Sequence, residues 1–101
     1  MKRKVKPRAI PNYLRKYRRS RGLLQKEVAR ILGLKSASAI SRWEKGLCLP
    51  STKNLFKLAS LYRTMVEALY MDQLRTLRSE LQKTEAKILK VKTEQQNEEQ
   101  K

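Results

Sequence analysis

Histidine is absent from this 101-residue chain, and cysteine occurs once, at Cys48. A single cysteine excludes a disulfide within the chain and is typical of proteins of the reducing cytoplasm. Without histidine, the sequence offers neither a zinc-type ligand cluster nor a nucleophilic triad built on an imidazole. We therefore predict that the chain binds no metal or cofactor and is not an enzyme, and no small-molecule site is evident.

Long apolar runs are also missing. No stretch reaches the roughly 18 consecutive apolar residues that indicate a membrane-spanning helix, and the basic start lacks the apolar segment of a signal peptide. A basic protein can also lie on an anionic membrane, but the apolar positions here form core-like stripes rather than a membrane-lying face. The sequence predicts a cytoplasmic protein without a membrane partner.

Acidic residues are scarce in the first part of the chain. Residues 1–62 contain 17 Lys or Arg and 2 Asp or Glu, a net charge of +15, whereas residues 63–101 contain 8 and 7, a net charge of +1. A surface this basic attracts polyanions, and phosphate neutralisation supplies most non-specific affinity for nucleic acids. Nucleic acid is therefore the predicted partner of the first part.

Glycine and proline are few, with three of each, and their positions divide the chain. Pro7 and Pro11 disfavour a helix over residues 1–11, which we predict to be a flexible basic arm. Such an arm follows phosphates or enters a minor groove. The predicted contacts of the arm are Lys2, Arg3, Lys4, Lys6 and Arg8.

Apolar residues at spacings of three and four predict helices throughout, so the fold class is all-α. A first helix follows Asn12, and the first three helices end at Gly22, Gly33 and Gly46. Ser51 is a natural N-cap for a fourth helix. The predicted organisation is a basic arm (1–11), a helical nucleic-acid-binding domain (12–70), a heptad helix (71–92) and a polar disordered tail (93–101).

The fifth helix has a candidate start signal. The stretch "TMVE", at Thr64 to Glu67, has the spacing of a capping box. Because no glycine or proline follows Pro50, we expect this helix to run unbroken to about Lys92.

The stretches "LRKYRRSRGLLQKEVARILGL", "ISRWEKG" and "PSTKNLFKLASLY" carry a resemblance to a known family. From Leu14 to about Tyr70 the chain resembles the phage-repressor, or Cro/CI-type (XRE), helix-turn-helix domain. The resemblance implies a five-helix, lambda-repressor-like domain, here with an extended C-terminal helix. It also implies binding to operator DNA, usually as a dimer.

The resemblance implies roles for particular residues. Gln25 would lie at a phosphate or base edge, Arg42 would face bases, and Arg18 and Glu44 would form a partly buried ion pair. Arg42 is about 200° around the helix from the apolar Ile40, so it lies largely off the buried face. Its planar guanidinium group can donate two hydrogen bonds to O6 and N7 of guanine. The alternative is a contact to a phosphate. The predicted DNA-binding residues are Gln25, Lys26, Lys35, Ser36, Ala37, Ser38, Ser41, Arg42 and Lys45.

Two departures from the family pattern matter. Leu24 occupies the position where the family usually has a Ser or Thr cap for the second helix. The separation from Ala29 to Ile40 is eleven residues rather than the usual ten. This extra residue leaves open which of residues 36–39 reaches base edges.

The C-terminal helix carries a heptad stripe at Leu74, Leu77, Leu81, Thr84, Ile88 and Val91. The flanking charges favour an antiparallel homodimer over a parallel one, through the apolar members of the stripe. The alternatives are a helix that packs on its own domain and one that binds another protein.

These observations predict a sequence-specific regulator of transcription, a repressor, that binds double-stranded DNA and reads the major groove with the helix around residues 36–45. The alternative is a protein-binding adaptor or antitoxin that uses the domain as a scaffold. Non-specific packaging of nucleic acid or RNA is a third reading. The high positive charge favours the first over the second, and the defined reading helix favours it over the third.

Overall fold

Six helices are formed by residues 9–99, the part of the chain that the computed structural model describes, and this part contains no strand. The all-α fold class and the five domain helices followed by an extended one are confirmed. The helices are α1 (Leu14–Ser20), α2 (Gln25–Leu32), α3 (Ser38–Glu44), α4 (Thr52–Leu61), α5 (Val66–Leu69) and α6 (Met71–Glu99).

Local signals define the ends of the first two helices. Tyr13 is the N-cap of α1 and makes no side-chain cap bond; instead, the side-chain oxygen of the preceding Asn12 accepts the N–H of Leu14 at 3.1 Å. Helix α2 has no capping oxygen at Leu24; instead, the carboxylate of Glu27 accepts the N–H of Leu24 at 2.8 Å. Glu27 thus supplies half of a capping box and compensates for the missing Ser or Thr. Gly33 then ends α2 with a left-handed φ of 78°.

Helices α3 and α4 begin with serine hydroxyls. The hydroxyl of Ser36 accepts the N–H of Ser38 at 3.3 Å, just before α3. The hydroxyl of Ser51, the N-cap of α4, accepts the N–H of Asn54 at 3.2 Å. Both bonds satisfy amide groups that the first turn of a helix leaves without a partner.

One hydrophobic core joins the first five helices. Complete burial of an aliphatic or aromatic side chain contributes about 1.5–3 kcal/mol, so these residues supply most of the driving force for folding. The long helix contributes only Leu74, half-buried, to the edge of this core. The buried core residues are Leu14, Val28, Ala29, Leu32, Ile40, Trp43, Leu58, Ala59, Tyr62, Leu69 and Tyr70.

The predicted unbroken helix from Thr64 is wrong. The N–H of Thr64 bonds to the carbonyl of Ala59 at 3.0 Å and so closes the end of α4, helped by Arg63 at a positive φ of 53°. Thr64 is therefore used as a helix end rather than as a cap. Helix α5 starts after Met65, without a side-chain cap.

A second break separates α5 from α6. Tyr70 has φ −129° and ψ 37°, outside the helical region. The bend buries Leu69 and Tyr70 in the core and turns the carbonyl of Leu69 towards Tyr13, whose N–H donates to it at 2.9 Å. Tertiary packing therefore interrupts a stretch that has neither glycine nor proline.

Helix α6 extends away from the domain. Every residue from Arg75 to Gln96 is exposed, so the alternative of a helix folded back on its own domain is wrong. Residues 93–99, expected to be disordered, continue the helix. Their Glu and Gln residues are good helix formers, and no glycine or proline interrupts them.

Candidate nucleic-acid interface

Helix α3 presents a polar face because its apolar residues lie on the other side. Ile40 and Trp43 are 1% and 6% exposed and hold the helix against the core. Ser38, Arg42 and Lys45 are exposed on the outer side. Arg42 therefore lies off the buried face, as the helical angle predicts, and it carries the longest donor group of α3.

The predicted ion pair between Arg18 and Glu44 is present and buried. Arg18 Nε donates to Glu44 Oε2 at 2.6 Å, and Nη2 donates to Oε1 at 3.1 Å. The side chains are 9% and 4% exposed, and Nη1 of the arginine also donates to the carbonyl of Leu23 at 2.8 Å. Such a two-point pair fixes direction as well as distance. It joins α1, the turn before α2 and the last residue of α3.

The electrostatics of this pair favour the charged arginine. The hydrogen bond to Glu44 raises the pKa of Arg18, against the opposing effect of burial. Tyr62 is buried in the same core, and burial, followed by the negative charge of Glu44, raises its pKa to about 12. The pair is therefore an ionic contact in a region of low water access.

Gln25 joins this network, which sequence reasoning did not predict. Its Nε2 donates to Glu44 Oε1 at 3.0 Å. One amide hydrogen is thereby used, while the second hydrogen and the carbonyl oxygen are the groups with which this half-buried residue can meet a ligand. The contact orients Gln25 at the first position of α2, beside α3.

The C-terminal end of α3 is attached to the segment before α1. The side-chain amide of Asn12 donates to the carbonyl of Trp43 at 3.1 Å, and the N–H of Ile10 donates to the carbonyl of Gly46 at 2.8 Å. A Cβ at Gly46 would lie 2.6 Å from the nitrogen of Ile10 and closer still to its oxygen. The glycine is therefore required both by its φ of 75° and by this crossing. The sequence indicated only the first reason.

A groove runs between α1, α2 and α3, with the Arg18–Glu44 pair and Gln25 in its lining. Arg15 lines it together with residues of the predicted set, and sequence reasoning missed this arginine. The available signal was its position three residues before Arg18, on the same side of α1. The groove thus carries several cations around one neutralised acid. Further lining residues are Lys26, Ala37, Ser41 and Lys45.

The other predicted residues fall into three places. Lys35 and Ser36 line a second hollow with Lys26 and Ala37, on the turn between α2 and α3. The arm contacts, residues 2–8, lie outside the described residues, although the chain meets the end of α3 at Ile10. The predicted oligomerisation residues lie on α6, away from the groove: Leu74, Leu77, Leu81, Ile88 and Val91.

Two helices joined by a glycine turn, with the second held against the first by the core and presenting a polar face, define a helix-turn-helix protein. The family model for helix-turn-helix domains matches residues 14–66, more than half of the chain, and the chain belongs to this family. The match supports a DNA-binding function of the transcription-regulator type. A search of curated proteins gave no match. Within residues 9–99, no helix combines the length and the hydropathy that a membrane crossing requires.

Proposed function

We propose that the protein is a sequence-specific, double-stranded DNA-binding repressor of transcription that reads the major groove with α3. The observation that carries this proposal is the polar face of α3, with Arg42 exposed on it. A buried ion pair, Arg18–Glu44, holds the last turn of the same helix. A reading helix needs such a fixed direction because base contacts tolerate little displacement.

Base and phosphate contacts divide between the elements. Arg42 is the proposed base reader, with the short side chains of residues 36–39 near thymine methyl groups. Gln25 and Lys26, at the start of α2, are proposed phosphate contacts, since N-terminal amides of a helix favour anions. Lys35 and Lys45 add positive charge on either side of the reading helix, and Arg15 extends this charge across the groove.

The basic arm is proposed to add affinity without much sequence information. Its attachment at Ile10, beside the end of α3, supports this role because the arm then leaves the domain next to the reading helix. Five cations within residues 2–8 neutralise phosphates or enter an adjacent minor groove.

The proposed active form is a homodimer in the cytoplasm, where its DNA would lie. A two-fold dimer reads two half-sites about 34–36 Å apart, so its operator is an inverted repeat. A domain that occupies such a site blocks access to it, and repression is therefore the proposed direction of regulation. The proposal makes the chain a binding protein rather than an enzyme.

Selection of bound duplexes from a random DNA pool tests this function. We expect an enriched inverted repeat, with transcription of a reporter reduced when the repeat overlaps its promoter. Lys83→Ala, a charge removed from the exposed part of α6, is the control that should leave the enriched motif unchanged. Failure to enrich any sequence would favour the adaptor or antitoxin if duplex binding is absent, and nucleic-acid packaging if it is present.

A further inference from the structure

Helix α6 carries an apolar stripe that no described part of the chain covers. Leu77, Leu81, Ile88 and Val91 are 40%, 70%, 53% and 52% exposed. Their spacings of four, seven and three residues place them on one side of the helix, as in a coiled-coil seam. A row of large apolar residues along an exposed helix marks an interaction surface.

Hydrogen bonds and packing attach the base of this helix to the DNA-binding domain. The hydroxyl of Tyr13 donates to Asp72 Oδ2 at 2.7 Å, and the backbone N–H of Tyr13 donates to Leu69 just before the bend. Leu74 packs against the edge of the core. The first turn of α6 is therefore bonded to the residue that immediately precedes α1, the helix that carries Arg18 of the groove.

The charges that flank the stripe indicate which helix pairs with it and in which orientation. With Leu74 at heptad position a, Arg78 and Glu85 fall at e, and Glu80 and Lys87 fall at g. A parallel pair of these helices would place Glu80 against the partner's Glu85, and Lys87 against the partner's Lys92, so both contacts would be repulsive. An antiparallel pair would place Glu80 near the partner's Lys87, and Arg78 near the partner's Glu85, so both would be attractive.

We propose that α6 pairs with α6 of a second copy of this chain in an antiparallel seam, with Leu81 opposite the partner's Thr84. In this register Leu77 meets the partner's Ile88, and Leu74 meets the partner's Val91. Every contact occurs twice because the pair has a two-fold axis. This inference specifies the homodimer of the proposed function, and it requires no DNA.

The seam determines the placement of the two DNA-binding domains. Val91 lies seventeen positions after Leu74, which corresponds to roughly 25 Å of helix. The domains therefore lie at opposite ends of the seam, at a separation of the same order as the 34–36 Å between half-sites one turn apart. The Tyr13–Asp72 contact links each end of the seam to the start of α1 in the same copy.

Charge reversal distinguishes the two orientations by the sign of its effect. Glu80→Lys puts like charges together in the antiparallel seam and opposite charges together in a parallel one. We expect the dimer dissociation constant, measured by analytical ultracentrifugation without DNA, to rise roughly fivefold or more. Glu80→Lys combined with Lys87→Glu should restore the parent value. Lys90→Glu, at an off-seam position of the same helix, is the matched control and should change little.

Distances between spin labels test the register directly. In a Cys48→Ser background, single labels at Gln82 and at Thr93 are measured in separate dimers. The antiparallel seam places the two Gln82 labels nearly level and separates the two Thr93 labels by on the order of 30 Å along the axis. A parallel seam makes both pairs level.

Three results would overturn the inference. The first is a lower dimer dissociation constant for Glu80→Lys than for the parent, and the second is equal label distances at Gln82 and Thr93. The third is a parent protein that stays monomeric at all concentrations, with a Leu81→Ala variant that behaves in the same way. None of them bears on whether the domain selects a DNA sequence. Conversely, an antiparallel dimer that enriches no duplex would retain the seam and refute the repressor.

Discussion

Arg18 and Glu44 are 26 positions apart in the chain and form two hydrogen bonds, at 2.6 and 3.1 Å, that connect α1 to the last turn of α3. Gln25 adds a third bond to the same carboxylate at 3.0 Å. Three hydrogen bonds to the last residue of α3 therefore converge on a single acid, one of only two in residues 1–62. The other, Glu27, completes the start of α2.

Glu44→Ala should lower stability before it alters base preference. Removal of the acid leaves Arg18 with a buried charge, which costs roughly 3 kcal/mol in the free energy of unfolding. Urea denaturation followed by circular dichroism measures this loss. Glu67→Ala, which removes an exposed acid, is the control expected to change stability by less than about 0.5 kcal/mol. If both variants unfold at the same urea concentration, the ion pair has no structural role.

A comparison of Gly46→Ala with Gly22→Ala separates two effects on stability: strain in the backbone, and the steric clash where Ile10 crosses Gly46. Both glycines have similar positive φ values, 75° and 70°, so both substitutions carry a strain of about 1 kcal/mol. A Cβ at Gly22 would meet no described atom within 4 Å, whereas at Gly46 it would collide with the backbone of Ile10. We expect Gly46→Ala to lose clearly more stability in thermal melts. Equal melting temperatures would show that Ile10 is not docked there.

Arg42→Ala should relax specificity at one base pair per half-site. If Arg42 contacts a guanine, the variant should lose roughly 1–3 kcal/mol of binding free energy on the selected site. Its affinity should then no longer depend on which base pair occupies that position. A phosphate contact instead predicts equal weakening on every sequence and a salt slope reduced by about one. Binding to the selected site and to its single-base variants, at two salt concentrations, separates these results. Uniform weakening would refute base reading by Arg42.

Deletion of residues 2–8 should weaken binding to all duplexes alike. The arm holds five cations, and each phosphate contact contributes to the slope of log K against log salt. We expect a shallower slope with an unchanged order of preference among sequences. An unchanged slope would place the arm off the DNA, and a changed order of preference would show that it reads bases.

Tyr62→Phe should make alkaline stability less dependent on pH. Burial raises the pKa of Tyr62 to about 12, from an ordinary value of 10.0, so the folded state favours the neutral phenol. This contribution is complete below pH 10 and is lost as pH rises towards 12. The buried hydroxyl also has no partner in the described part of the chain, so the variant should be at least as stable as the parent at pH 7.

Urea titrations at several pH values provide the measurement for Tyr62→Phe. The slope of unfolding free energy between pH 10 and 12 should decrease in the variant. Tyr17→Phe, at a half-buried position, is the comparison. A marked loss of stability at pH 7 would instead show that the hydroxyl of Tyr62 has a partner in solution.

Several local features were predictable because a few neighbouring residues encode them. Gly22, Gly33 and Gly46 end three helices since glycine adopts the left-handed conformation without a steric penalty. Apolar periodicity placed Ile40 and Trp43 towards the core and Arg42 away from it, because helical geometry follows from spacing alone. The pairing of Arg18 with Glu44 came from the family resemblance, since no local pattern connects residues so far apart.

The sequence by itself determined the class of fold, the location of the positive charge and the inward faces of the helices, because burial and charge act residue by residue. Tertiary structure alone decided that Thr64 closes α4, that the chain bends at Tyr70, and that Gln25 bonds to Glu44. Each of these depends on which distant group is close enough to accept a hydrogen bond or to fill the core. Such proximity is a property of the packed chain, since the same local sequence is compatible with more than one partner.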